Sequence, residues 1–136
     1  MSVEPTAEQI AEIQAIADGP EDGPLVMLNL NRYRDPPAYA RYAEVAERVL
    51  ERVGGRVLWH APVTGTVVGE GEERFDDVIA VWYPSAAAFL KLATDPEILE
   101  ARQHRLDGLE RAALLRCTSG SEPVLEGRNP APERFS

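Results

Sequence analysis

A chain of 136 residues fits one domain and can bury a real core, and a hydrophobic share of 44% beside 27% charged residues excludes wholesale disorder. Fourteen basic residues against twenty-three acidic ones leave a net charge of −9, which repels phosphate backbones and anionic lipids, and no basic patch offsets it. No nucleic-acid or membrane partner is expected, and with no spanning segment or signal peptide legible the expected location is cytoplasmic.

The stretch "PTAEQIAEIQAIADG" places Thr6 as an N-cap and Gln9 three residues on, a capping box, with Ile10, Ile13, Ile16 and Ala17 at helical spacing. "GPEDGP", residues 19 to 24, ends that helix. "LVMLNLNRYRD" then begins as a strand, and Asp35 caps a second helix that opens on Pro36 and Pro37. Its apolar stripe runs through Tyr42, Val45, Ala46, Val49 and Val53, and Gly54 and Gly55 stop it.

"RVLWHAPV" and "VIAVWY" have strand character, and the turn chemistry of "GEGEERFDD" joins them as a hairpin. Ser85 caps a third helical piece, "AAAFLKLAT", and Asp95 with Pro96 starts a fourth, "EILEARQ". "RAALLRCT" is the last strand. The single Cys117 excludes an intramolecular disulfide and reads as a small core residue. Residues 119 to 136 read as a tail with Phe135 as its one large anchor. The expected division is an N-terminal helix and linker over 1–23, one domain over 24–118 and a tail over 119–136.

Without its first helix the order is β-α-β-β-α-β, which predicts an α+β, ferredoxin-like fold with an antiparallel sheet. Both helices of that fold cover one sheet face. The other face, apolar in the first, third and fourth strands, needs a partner, and a second copy of the chain is the simplest one.

Four segments go further than topology. "MLNLNRYRD", "VGGRV", "VWYPSAAAFLKLATDPE" and "HRLDGLERAALL", in this order, resemble the bacterial family called domain of unknown function 1330, over roughly residues 24 to 118. Tyr83, Pro84 and Ser85, the Asp95–Pro96 pair, and the spacing of His104, Arg105, Gly108 and Leu109 resemble its subgroup with an extra N-terminal helix. The resemblance implies a dimeric α/β barrel whose two sheets enclose a cavity. It implies no settled reaction; related proteins include cofactor-independent monooxygenases, muconolactone isomerases and haem-degrading enzymes.

Strand parity frames the candidate site. If Val26, Leu28 and Leu30 face the helices, then Leu25, Met27, Asn29 and Asn31 face the partner sheet, where the amides would hold a ligand oxygen or simply bond one another and nearby backbone. The second strand would set Arg56, Leu58 and His60 against Val57, Trp59 and Ala61. His60 is a candidate general base, and Trp59 and Trp82 could flank a flat ligand or serve as core.

His104 depends on its helix. A helix unbroken through residue 106 puts it on the polar face with Glu97 and Glu100; a helix ending near Gln103 lets "HRLDGL" aim His104 or Arg105 at a cavity mouth. Arg116 would meet a carboxylate or enolate, or pair with an acidic residue.

The candidate catalytic residues are thus His104 and His60, and the candidate substrate-binding residues Asn29, Asn31, Trp59, Trp82, Arg105 and Arg116. No cofactor and no metal are expected, because the nucleotide-binding glycine motifs are missing and two histidines 44 positions apart make no ligand cluster. Three functional readings stand open: a cofactor-independent enzyme of oxygenase or isomerase type on a small aromatic or enolisable substrate, a non-catalytic metabolite-binding protein, and a purely structural dimer.

Overall fold

The computed structural model describes residues 3–118; the tail with Phe135 lies outside the described residues. The elements run α1 (Ala7–Ala17), β1 (Leu25–Tyr33), α2 (Pro36–Arg52), β2 (Arg56–Pro62), β3 (Asp77–Tyr83), α3 (Ala86–Ala93), α4 (Pro96–Gly108) and β4 (Leu109–Thr118), with a single 3₁₀ turn at Gly71–Glu73. The strands form one antiparallel sheet in the order β2-β3-β1-β4. This is the α+β, ferredoxin-like arrangement that the element order predicts. No helix among the described residues is long and apolar enough to cross a membrane.

The helix ends follow local chemistry. Thr6 and Gln9 form the capping box of α1. Asp35 occupies the N-cap of α2, yet its side chain accepts no hydrogen bond. Pro37 removes one N–H that an N-cap would normally receive, and Ala38 donates instead to the Asp35 carbonyl at 3.1 Å. Helix α3 is capped twice, by the Ser85 hydroxyl and by Asp22, whose carboxylate accepts from Ala86 at 2.7 Å and Ala87 at 3.1 Å. That contact fixes the α1–β1 linker against the start of α3.

The core lies on one face of the sheet. Leu25 and Met27 of β1 and Val81 and Tyr83 of β3 pack with Val49 and Leu50 of α2, Leu92 of α3 and Ile98 of α4; Ile13, Ile16 and Ala17 of α1 extend this cluster. The expected strand phase is therefore reversed: Leu25, Met27 and, by alternation, Asn29 and Asn31 face the helices, while Val26, Leu28 and Leu30 face away from them. In β2 the register shifts between Val57 and Trp59, so Arg56 shares the open face with Trp59 and Ala61, and His60 turns to the helix side. Cys117 also lies on the open face, half-buried, rather than in the core.

Helix α4 runs unbroken into β4, and the crossing of α2 and α4 rests on Gly108. A Cβ there would sit 2.6 Å from the Tyr39 nitrogen and 2.7 Å from its Cβ, and the Gly108 carbonyl accepts from Arg34 and Asp35 at 2.8 and 3.2 Å. Gly108→Ala should cost about 2–3 kcal/mol, since the obstacle is largely backbone. The cost reads out as a lower urea midpoint at unchanged slope; a loss under about 1 kcal/mol would show that the helices part freely.

Candidate active site

Three strands bring one polar group to the helix side near the end of the sheet. Asn31 of β1 and Asp77 of β3 are register partners, and His60 of β2 lies one diagonal step away on the same face. Tyr33 closes β1. Asp77 is the hub: its Oδ1 accepts from Asn31 Nδ2 at 3.2 Å, and its Oδ2 accepts from the Tyr33 hydroxyl at 2.5 Å and lies 3.1 Å from His60 Nε2.

The Asn31 amide and the Tyr33 hydroxyl both donate to this carboxyl group, as an acceptor-only carboxylate requires. The His60 tautomer that completes this set carries its hydrogen on Nε2 and leaves Nδ1 as the basic nitrogen. Asn31 is 3% exposed and Asp77 8%, whereas the imidazole is 55% exposed. The site has a buried foundation and an open tip.

The foundation is tied to the backbone. Asp76 beside the hub accepts from the Tyr33 N–H at 2.8 Å and donates its own N–H to the Asn31 carbonyl at 2.7 Å. A row of rings continues inward, with Tyr33 and Tyr39 at 5.1 Å and Tyr39 and Tyr42 at 5.6 Å between centroids. Burial, aided by the hydrogen bond and charge of Asp77, holds the Tyr33 phenol far above its ordinary range. Burial likewise pushes Tyr39 up to about 12, with Tyr42 and Asp77 adding to the rise and Arg105 opposing it. Both phenols stay neutral through the physiological range.

The remaining candidates scatter. Asn29 donates to the backbone carbonyls of Met27 and Ile79 at 3.2 and 3.3 Å, the satisfied-amide alternative. Trp59 and Trp82 lie on the open sheet face, separated from the amides and His60 by the sheet itself. His104 is exposed on α4, whose unbroken course puts it on the polar side. Arg105 donates to the Val3 carbonyl at 2.5 Å beside Tyr39 and Tyr42, and Arg116 pairs with Glu12 at 2.9 Å.

Of the predicted residues, then, His60 and Asn31 come together, and Arg105 stands at the far end of the tyrosine row. Asp77 and Tyr33 were not among the candidates. Their signal was weak: Asp77 sits inside "FDD", a run with turn composition, and only its parity with Ile79 and Val81 marks it as inward-facing.

Two concave regions lie away from this cluster. A groove of about 290 Å³ includes Ile16, Asp22, Leu25 and Arg116, and a depression of about 460 Å³ is lined by Arg48, Glu51 and Arg52. Among the described residues no three His, Cys, Asp or Glu side chains group as metal ligands.

A family model described as domain of unknown function (DUF1330) matches residues 25–116. A protein of unknown function from Rhodopseudomonas palustris is similar in structure at 35% identity, over 85% of this chain and 94% of its own, with a TM-score of 0.76. Its methylated form matches at 32% identity over 93% and 98% of the two chains, with a TM-score of 0.77. A dabb family protein with a ferredoxin-like fold from Mesorhizobium loti, at 11% identity over 69% and 94% with a TM-score of 0.51, shares the fold alone. No curated protein matches the chain.

Proposed function

Since the chain belongs to the DUF1330 family, whose description leaves the reaction open, function has to be argued from the site's own chemistry, and we propose a cofactor-independent acid–base enzyme. In this reading His60 takes a proton from a small aromatic or enolisable substrate. One observation carries it: Asp77 Oδ2 lies 3.1 Å from His60 Nε2 while the imidazole side chain remains 55% exposed. A carboxylate on one nitrogen fixes the tautomer, orients the ring and stabilises the imidazolium that forms when the other nitrogen takes a proton.

Deprotonating a carbon acid or a phenol is the step shared by isomerisation of an enolisable compound and by cofactor-free oxygenation of an aromatic one. Tyr33, kept neutral by burial and Asp77, gives its one hydroxyl hydrogen to the carboxylate and so steadies the group that orients His60. A net charge of −9 weighs against polyanionic substrates.

The working unit is proposed to be a homodimer. Val26, Leu28, Leu30, Trp59, Trp82 and Leu115 give the open sheet face an apolar surface that no element of the same chain covers among the described residues, and a second copy supplies a matching face.

A structural reading competes, favoured by the mutual satisfaction of Asn31, Asp77 and Tyr33. Assaying the purified protein against phenols, quinones, lactones and enolisable ketones separates the two. The expected result is turnover that His60→Gln lowers about a hundredfold or more with little change in unfolding temperature. Turnover unaffected by His60→Gln, or none across the panel, would leave the cluster as a strut.

A further inference from the structure

The loop between β2 and β3, residues 63–76, carries an apolar tip that stands clear of the other described residues. Val67 is 99% exposed and Val68 91%. The stem of the loop is firmly held: the Arg32 guanidinium donates to the Gly71 and Arg74 carbonyls at 2.9 and 3.3 Å and pairs with Glu110 at 2.8 Å. Glu70 and Glu73 add a reciprocal capping box around the 3₁₀ turn. Two fully solvated valines on an anchored stem form a contact surface rather than a slack loop.

Arg32 follows the parity of Leu28 and Leu30, so the stem is fastened on the rim of the open sheet face. At the opposite end of that face the Arg56 guanidinium lies 5.3 Å above the Trp82 ring. The Trp82 indole N–H beneath it is buried with no hydrogen-bond acceptor among the described residues. Arg56 makes no ion pair among the described residues, and neither does Glu72 of the loop, which is exposed. The seven residues of β2 separate them, roughly 20 Å at about 3.3 Å per residue, so the two cannot meet within one chain.

We propose that the loop is an arm that clasps a second copy of this chain, its Val67–Val68 tip covering Trp82 and its Glu72 pairing with Arg56 across the interface. This rests on the homodimer reading. Two sheets related by a two-fold axis perpendicular to their strands bring the loop end of each over the Arg56 end of the other, and the contact is made twice. Apolar tip then meets indole, and unpaired acid meets unpaired base.

Sedimentation equilibrium on the full chain tests it by charge exchange. Arg56→Glu and Glu72→Arg, both at exposed positions, should each weaken dimerisation at least about tenfold, because each reversal places two like-charge contacts in the interface. The double variant should return to within about threefold of wild type, and Val67→Ser with Val68→Ser should weaken it about tenfold. Single variants that dimerise like wild type, or a double variant no tighter than either single, would overturn the arm while leaving the dimer intact. A wild-type chain that stays monomeric overturns the homodimer reading and the arm with it.

Discussion

Raising the pH should unfold this protein in one step, with no tyrosine ionising beforehand. The chain has four tyrosines, and Tyr33, Tyr39, Tyr42 and Tyr83 are all held above their ordinary value of 10.0, each chiefly by burial. A raised folded-state pKa means that the folded chain keeps a proton which the unfolded chain releases. Below about pH 10 both states are protonated and this contribution to stability is fully present. Above it the unfolded state gains by ionising, and every phenol that stays protonated in the fold removes about 1.4 kcal/mol of stability per pH unit.

Several such phenols together exhaust a typical domain stability of about 5–15 kcal/mol within a few pH units above 10. Tyrosinate absorbance should stay flat through pH 10 and then rise together with the loss of helical circular dichroism. A gradual rise centred near pH 10 in the still-folded protein would show that the tyrosine row is open to solvent. It would also remove Tyr33 as a neutral donor.

How much of this was legible depends on whether a signal was local. The capping box of Thr6 and Gln9, the stripe from Tyr42 to Val53 and the Asp95–Pro96 restart each rest on contacts within a few residues, and each stands where the spacing puts it. Strand phase is not local. Leu25 to Leu30 is apolar on both faces apart from Asn29, so alternation alone leaves open which set meets the helices; the packing of Leu25 and Met27 on Val49 and Ile98 decides it. The register shift at Leu58 is likewise a property of pairing, and it carries His60 to the side of the amides and Trp59 away from them.

His104 was decidable in form but not in outcome. Gly108 belongs to the helix rather than ending it early, because the close approach of Tyr39 demands a glycine there. The hub of the site was least visible, since nothing in "FDD" separates an inward Asp77 from a solvated turn until β1 is laid beside β3. The candidate site is a product of three strands meeting, and a single sequence shows those strands only one at a time.

Asp77→Asn should separate chemistry from architecture. The amide is nearly isosteric, so it still accepts through one oxygen, but its NH2 now faces either the Asn31 amide or the pair formed by Tyr33 and His60. The lower-cost arrangement turns the NH2 toward His60 and Tyr33, both of which can accept: the hydroxyl rotates, and the imidazole moves its proton to Nδ1. The fold should lose about 1 kcal/mol, the value of an altered buried hydrogen bond. Turnover should fall roughly a thousandfold, because the nitrogen that faces substrate is no longer a base.

That loss belongs in kcat rather than KM, and the imidazole nitrogen shifts should report the exchanged tautomer. Asp77→Ala removes the acceptor altogether, leaves the buried Asn31 amide and the Tyr33 hydroxyl without it, and should cost about 3 kcal/mol as well as activity. If Asp77→Asn kept full turnover while losing stability, Asp77 would be a strut for β1 and β3 and His60 a surface residue beside it. A thousandfold fall in kcat at nearly unchanged stability makes Asp77 the residue that positions the base.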